Sequence, residues 1–270
     1  MRKNASAAAR PRAAAAPEDK SFVTALQKGL DVLTCFNREA ARLTLSEVAR
    51  LAGSTPASAR RSLHTLHALG YLDSDGKRFW PAPRALLVGH SYLVSRPLPQ
   101  LAQPLLDALA ERTRQSATFG TLLGDDALII ARSTARRSLS TGLAIGSRLP
   151  GYCSALGRTL LASLPPDEVR RRIELMPRKP LTERTVWRTR EVIALVDRCR
   201  EEGWTGSDGE LELGVRSLAV PAFDREGRAV GAISMAVRAE RMTMAEFREA
   251  MLPVLQKARD SLAQRLPREG

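Results

Sequence analysis

Between Leu43 and Tyr71 the chain reads L-T-L-S-E-V-A-R-L-A-G-S-T-P-A-S-A-R-R-S-L-H-T-L-H-A-L-G-Y. That pattern is two short helices joined by a tight turn. Thr44 is placed to cap the first helix, and Glu47 three residues later completes a capping box. Leu45, Val48, Ala49 and Leu51 supply its apolar face. Gly53 ends it, since glycine takes the left-handed conformation at little cost. Thr55 then caps a second helix, with Pro56 at its first position, where the missing N–H is not needed.

On the second helix Ala59, Leu63, Leu66 and Leu69 recur at helical spacing and predict the buried side. Ala57, Arg61, His64 and Ala68 project opposite, with Arg60 on the flank. Small residues permit close approach to a DNA major groove, arginine can bond guanine edges with both arms, and a positive helix end favours phosphate. An amphipathic hairpin carrying a solvated arginine pair is the alternative.

Charge distribution bears on that choice. The chain carries a formal +13, and its first 96 residues hold 15 Lys/Arg against 7 Asp/Glu. Concentrated basic charge beside a helix pair suits nucleic acid, although membranes or acidic proteins also attract it. Cys35, Cys153 and Cys199 are far apart and odd in number, which indicates neither a disulfide framework nor a zinc cluster. A reducing cytoplasm is the expected location. No apolar run reaches the length of a membrane span. The Ala- and Arg-rich first twenty residues lack a secretory apolar centre, faintly resemble a transit peptide, and are read as a disordered basic tail that touches DNA phosphates.

Phe22–Asn37 is apolar-periodic, with Phe22, Leu26, Leu30, Leu33 and Phe36 along one side, and is expected to pack behind the helix pair. Asp75-Gly76 signals a hairpin, followed by Phe79 and Trp80 as strand residues. Three helices and a hairpin make a winged helix-turn-helix, whose tip presents Lys77 and Arg78 to the backbone or minor groove; a solvated hairpin tip is the competing reading. The DNA-facing set is thus Thr44, Ser54, Thr55, Ala57, Ser58, Arg60, Arg61 and His64 with Lys77 and Arg78. Residues 84–95 read as a linker helix, which Arg96-Pro-Leu-Pro breaks.

Beyond it, strands are expected at Ala117–Leu123, Ala127–Arg132, Ser138–Ile145, Trp204–Ser207, Ser217–Phe223 and Ala229–Val237. Helices are expected at Leu98–Arg114, Ser154–Ser163, Pro166–Leu175, Thr189–Glu202 and Thr243–Leu266. This is an α+β domain with a mostly antiparallel sheet and helices on both sides. The expected organisation is a tail at 1–20, a winged helix at 21–83, a linker helix at 84–97 and a second domain at 98–270.

Chemistry in the second domain is sparse. Cys153 precedes a helix whose dipole could lower a thiol pKa, but all three histidines, His64, His67 and His90, lie before residue 91. No Cys–His pair is therefore available locally. Gly142, Gly146, Gly151 and Gly157 do not make a phosphate loop. No cofactor or metal is implied. Asp208, Glu210 and Glu212 read as a solvated acidic loop or as groups facing a ligand. A small-molecule sensor is the more economical reading: Tyr152-Cys-Ser-Ala-Leu-Gly157 enters a helix and can offer backbone N–H groups to a carboxylate, with Arg132, Arg136 and Arg137 as counter-charges.

Four blocks together resemble the IclR family of bacterial transcriptional regulators, from about Phe22 to Leu266. They are the helix pair, R-L-P-G-Y-C-S-A-L-G-R-T-L-L-A at 148–162, G-E-L-E-L-G-V-R-S-L-A-V-P at 209–221 and G-A-I-S-M-A-V at 231–237. The double arginine at 60–61 and the R-L-P-x-Y-C-S run look most like the Pca/Pob-type subgroup, which governs aromatic-acid catabolism through the β-ketoadipate pathway. The resemblance implies a winged helix joined to a GAF-like effector domain, and binding to promoter DNA as a dimer or dimer of dimers. It makes RNA polymerase a further candidate partner. It also implies an effector pocket lined by Ser154, Ala155, Leu156, Gly157, Asp208, Glu210, Ser217 and Ser234, beside Arg132 and Arg137. The effector expected is a small aromatic or dicarboxylic acid of the protocatechuate, 4-hydroxybenzoate or β-ketoadipate type. Pro56 departs from many relatives, which place proline one residue earlier, so a base contact from that position is not expected. Trp204 stands where many relatives carry a smaller aromatic, and so either reshapes the pocket or fills the core. Two rival readings remain at this point: a catalytic GAF-like enzyme fused to a DNA-binding module, and a general nucleoid-binding protein.

Overall fold

A computed structural model describes residues 21–135 and 142–266. The basic tail at 1–20, Arg136 and Arg137 lie outside the described residues. Contacts divide the chain into two units between Tyr92 and Leu93.

The first unit carries α1 (Thr24–Leu33), β1 (Leu43–Thr44), α2 (Leu45–Leu51), α3 (Pro56–Ala68), β2 (Leu72–Ser74), β3 (Arg78–Pro81) and, after a short 3-10 turn at Pro83–Ala85, most of α4 (Leu86–Ser95). Local chemistry sets the helix boundaries. The Thr44 side chain accepts from Glu47 N while Glu47 Oε2 accepts from Thr44 N at 2.8 Å, a closed capping box. Gly53 turns the chain at φ +61°, and the Thr55 hydroxyl caps α3 through Ser58 N at 3.2 Å. The strands form an antiparallel sheet in the order β1-β3-β2. Val32, Leu43, Val48, Ala49, Ala59, Leu63, Leu66 and Leu72 close the core.

Two expectations change here. α1 ends at Leu33 and buries Val32, while Leu26 stays 62% exposed and Leu30 48%. The stripe is therefore split: Leu26 and Leu30 face outward, while Leu33 and Phe36 pack against the core. Leu69 is also half exposed, because α3 ends at Ala68 and Leu69 already belongs to the turn into Gly70.

The second unit contains α5 (Pro97–Thr113), β4 (Ser116–Leu123), β5 (Asp126–Ser133), β6 (Arg148–Pro150), α6 (Ala155–Ala162), α7 (Pro166–Leu175), α8 (Thr189–Glu202), β7 (Thr205–Asp208), β8 (Val215–Phe223), β9 (Ala229–Arg238) and α9 (Met244–Arg265). Its sheet is antiparallel in the order β6-β5-β4-β9-β8-β7. One face packs on α5 and α9 through Leu106, Phe119, Ile130, Leu218, Ile233, Phe247 and Leu255. The other lies under α6 through Ala127, Ile129, Leu156, Leu160 and Ala232. Behind α6, Leu161 packs with Val169 and Ile173 of α7 and Val192 and Val196 of α8. The α+β architecture with helices on both sides follows. The strand expected at Ser138–Ile145 is replaced by β6 at Arg148–Pro150; positions 138–141 lie outside the described residues. The reason is local: Gly142 and Gly146 take φ of +68° and +87°, and such turns interrupt an extended run.

Candidate nucleic-acid interface and effector site

In the first unit, the N-cap Thr55 and Ala57, Arg60, Arg61 and His64 of α3 are all exposed, opposite Ala59, Leu63 and Leu66. Three other expected contacts are placed differently. Ser58 is 7% exposed and faces the core. The Thr44 hydroxyl is engaged by Glu47 in the capping box. Ser54 Oγ, in the turn between α2 and α3, is buried with no hydrogen-bond partner. At the wing tip, Lys77 and Arg78 are exposed. Asp75 holds that tip by accepting from Lys77 N at 3.0 Å and Arg78 N at 2.7 Å. Those backbone bonds, Arg78 first, lower its carboxyl pKa. The Arg42 guanidinium lies over the Trp80 ring at 4.1 Å, adding a basic residue to the wing that spacing did not reveal.

The effector-side residues divide between the two faces of the second sheet. Strand alternation puts successive side chains on opposite faces, and the pairing register then aligns them across strands. On the α6 face one rung runs Arg132, Thr118, Ser234, Ala219, Thr205, and the next runs Ser116, Ala236, Ser217, Ser207. This is a row of hydroxyls, with small alanines between them and one guanidinium at the β5 end. Arg132 Nη1 donates to Thr118 Oγ1 at 2.8 Å, and burial depresses its pKa. Among the described residues the Ser217 and Ser234 hydroxyls make no hydrogen bond.

The start of α6 is more occupied than a bare helix end. The Ser154 hydroxyl accepts from Gly157 N at 3.1 Å and donates to the Pro150 carbonyl at 2.7 Å. Ser207 Oγ donates to the Cys153 carbonyl at 3.1 Å, tying the row to this segment. Ser154 and Gly157 are thus committed to the cap. Ala155 and Leu156 are buried at the first two helical positions, whose N–H groups have no partner within the helix. The Cys153 thiol is pushed up to about 12, chiefly by burial, the opposite of the lowering a helix end could give, so it stays protonated at neutral pH.

Both acidic expectations are redirected. Asp208 opposes Arg216 on the α5/α9 face, accepts from Arg216 Nε at 3.0 Å, and has Arg184 at 3.4 Å. Glu210 is 7% exposed and bound by both arms of Arg158 at 2.7 and 2.5 Å, and it also accepts from Val186 N at 3.0 Å. Arg158 is fully buried, and its Nε donates to the Tyr152 carbonyl at 2.8 Å. Glu210 therefore anchors the 209–214 loop to α6. An open cleft of about 680 Å³, lined by Asp107, Glu111, Arg114, Ser133 and Arg241, lies instead on the α5 side of the sheet. Its balanced carboxylates and guanidiniums give no preference for an acid, and the effector reading stays with the α6-face row.

Residues 90–263 match the family described as bacterial transcriptional regulator IclR C-terminal, and residues 25–76 match the IclR helix-turn-helix domain. The chain belongs to the IclR family. It is a DNA-binding transcriptional regulator with a C-terminal effector-binding domain. The Pca regulon regulatory protein of Pseudomonas putida is 38% identical over 249 residues, covering 92% of this chain and 86% of that protein. A solved protein from Rhodococcus sp. RHA1 is also 38% identical, with a TM-score of 0.75 over 90% of this chain and 98% of its own. A double mutant of the PobR inducer-binding domain from Acinetobacter, solved with 3-hydroxybenzoic acid, is 26% identical with a TM-score of 0.58, covering 62% of this chain and 97% of that one. These likenesses fit the Pca/Pob-type branch of the IclR family.

Sequence reading missed Thr118, Gln103 and Arg158. Alternation could have put Thr118 opposite Phe119, but its partners Arg132 and Ser234 follow only from register. Among the described residues no group of His, Cys, Asp and Glu could hold a metal, and no helix is long and apolar enough to cross a membrane.

Proposed function

We propose that this regulator senses a hydroxylated aromatic acid on the α6-face row and binds its operator as a dimer through α3 and the wing. The observation that carries the effector reading is Arg132, held by Thr118 at one end of a row whose far hydroxyls, Ser234 and Ser217, are unengaged. Arg132 and Ser234 are two strands apart, roughly 10 Å between backbones, and both side chains point to the same face. A benzoate-sized ligand spans that gap, with its carboxylate on the guanidinium, its ring over Thr118 of the intervening strand, and its hydroxyl on Ser234. Hydroxyls rather than a second cation at the far end favour a hydroxybenzoate over a dicarboxylate. A relative's inducer-binding domain, solved with 3-hydroxybenzoic acid, agrees with that class. Sensing rather than turnover is supported by the buried, protonated Cys153. Calorimetric titration with 4-hydroxybenzoate, protocatechuate and β-ketoadipate tests the reading. The aromatic acids bind more tightly than β-ketoadipate, and tighter binding of the dicarboxylate refutes it.

For DNA, the exposed Arg60/Arg61 pair motivates a base contact. Arg61→Ala lowers specific binding by about 1–3 kcal/mol and relaxes specificity. The measurement is the ratio of specific to random-sequence affinity at one salt concentration, and an unchanged ratio removes the base-reading role.

For assembly, α4 is mostly apolar and buries none of its residues; Leu86, Leu87, Val88, Tyr92 and Val94 are all exposed. Such a surface calls for a cover, and α1 exposes Val23, Leu26 and Leu30 in the same unit. A second copy supplies the cover and matches two-fold DNA sites. Wild-type protein sediments as a dimer or larger, while Leu86→Glu combined with Leu87→Glu shifts it to monomer. A wild-type monomer with and without DNA defeats this reading.

A further inference from the structure

Among the described residues, Arg132 sits where β5 has run past its outer neighbour, because β6 pairs with Asp126–Leu128 and the turn before it reaches only Ile129. A strand edge without a partner leaves backbone N–H and C=O groups open. At Arg132 one side chain of α5 takes both. Gln103 Oε1 accepts from Arg132 N at 3.3 Å, and Gln103 Nε2 donates to the Arg132 carbonyl at 3.1 Å. Needing an acceptor for the N–H and a donor for the carbonyl fixes which way round the amide lies. It also fixes the phase of the strand. With both backbone groups turned outward, Arg132 and Thr118 form a non-hydrogen-bonded pair, the kind in which facing side chains come closest. That brings Arg132 Nη1 to Thr118 Oγ1. The second hydrogen on Gln103 Nε2 serves Asp107 Oδ1 at 2.9 Å, one turn along α5.

The other end of the same segment is also tied. Gln100 Nε2 donates to the Val94 carbonyl, in the last turn of α4, at 2.6 Å. Pro104 lies inside α5 immediately after Gln103. Having no N–H, it leaves the Gln100 carbonyl without its helical partner. The turn Gln100–Gln103 thus lacks one backbone bond to the rest of α5, and it grips the arginine of the sheet at one end and the linker helix at the other.

We propose that the turn Gln100–Gln103 is the link that carries the state of Arg132 to α4, with Gln103 and Gln100 as positioning residues at its two ends. The proposal rests on the effector reading above. Occupation of Arg132 by a carboxylate resets the β5 edge, the Gln103 amide follows both backbone groups, and Gln100 passes the shift to the end of α4.

The test uses full-length protein and a DNA duplex selected by the wild type from a random pool. In Gln100→Met, 4-hydroxybenzoate binds as in the wild type, because Gln100 touches only α4. The change in duplex affinity that the acid produces falls at least about fivefold, the low end of ordinary allosteric coupling. Gln103→Met loses the same response, and the double variant is no worse than either single one, since both cut one path. Wild-type response in either variant overturns the link. So does additive loss in the double variant, or a wild type that binds the acid without any change in duplex affinity. If the wild type binds none of the acids, the effector reading falls by itself, and the link is read without ligand. Arg132→Ala then shifts duplex affinity in the otherwise wild-type chain but not in the Gln100→Met background. Equal shifts in both overturn it.

Discussion

Glu210→Ala is expected to lower the free energy of unfolding by about 3–5 kcal/mol, because it strands the fully buried Arg158 guanidinium without its carboxylate. The site explains the size. Arg158 is 0% exposed and divides its donors between Glu210 and the Tyr152 carbonyl, while Glu210 also holds Val186 N. Removing the carboxylate leaves a cation that neither water nor another side chain of this site reaches. Arg158→Met should cost a comparable amount, since it leaves the anion buried. The double variant Arg158→Met/Glu210→Met should recover most of the loss, because replacing both members of a buried pair by apolar groups of similar volume is often neutral. Urea unfolding followed by tryptophan fluorescence is the measurement, and two of the three tryptophans, Trp187 and Trp204, belong to the second unit. Single variants within 1 kcal/mol of wild type, a bound set by ordinary surface ion pairs, would show that the pair is not the anchor described here.

Arg132→Ala is expected to weaken binding of 4-hydroxybenzoate by about 1.5–3 kcal/mol, the worth of a hydrogen bond to a charged group. That corresponds to roughly a 10- to 150-fold rise in Kd. Arg132→Lys should recover only part, since a point charge does not present the two-armed fork to a carboxylate. Thr118→Val should fall between wild type and Arg132→Ala, because it removes one hydrogen bond that holds the guanidinium but keeps the guanidinium itself. Ser217→Ala and Ser234→Ala act at the hydroxyl end, and they should discriminate 4-hydroxybenzoate from benzoate more than they change the affinity for benzoate itself. Titration calorimetry on folded variants decides the matter. Arg132→Ala binding the acid as the wild type does would move the site off this row.

The winged helix was legible almost entirely from local chemistry. Thr44, Glu47, Thr55 and Pro56 set helix ends through groups three residues away or fewer, and Ala59, Leu63 and Leu66 share a face because a helix repeats every 3.6 residues. The same short range governs the wing turn at Asp75-Gly76 and most element boundaries of the second unit. Local periodicity succeeded only in part in α1, where Leu33 and Phe36 reach the core and Leu26 and Leu30 do not, since spacing alone does not say how far along a helix the core extends. It failed at the acidic loop. Asp208 and Glu210 carry the same charge two residues apart, yet one is drawn to Arg216 on the far side of the sheet and the other into a buried pair with Arg158 of α6. That outcome depends on which distant guanidinium each carboxylate meets. The effector row is of the same kind. The chain supplies Arg132, Thr118, Ser234 and Ser217 on separate strands, each with a known alternation. Only the register of β5, β4, β9 and β8 lines them up, and register is fixed by pairing between strands remote in the chain. The Gln103 clamp belongs wholly to tertiary structure, because a helix side chain can serve a strand edge only after both have docked.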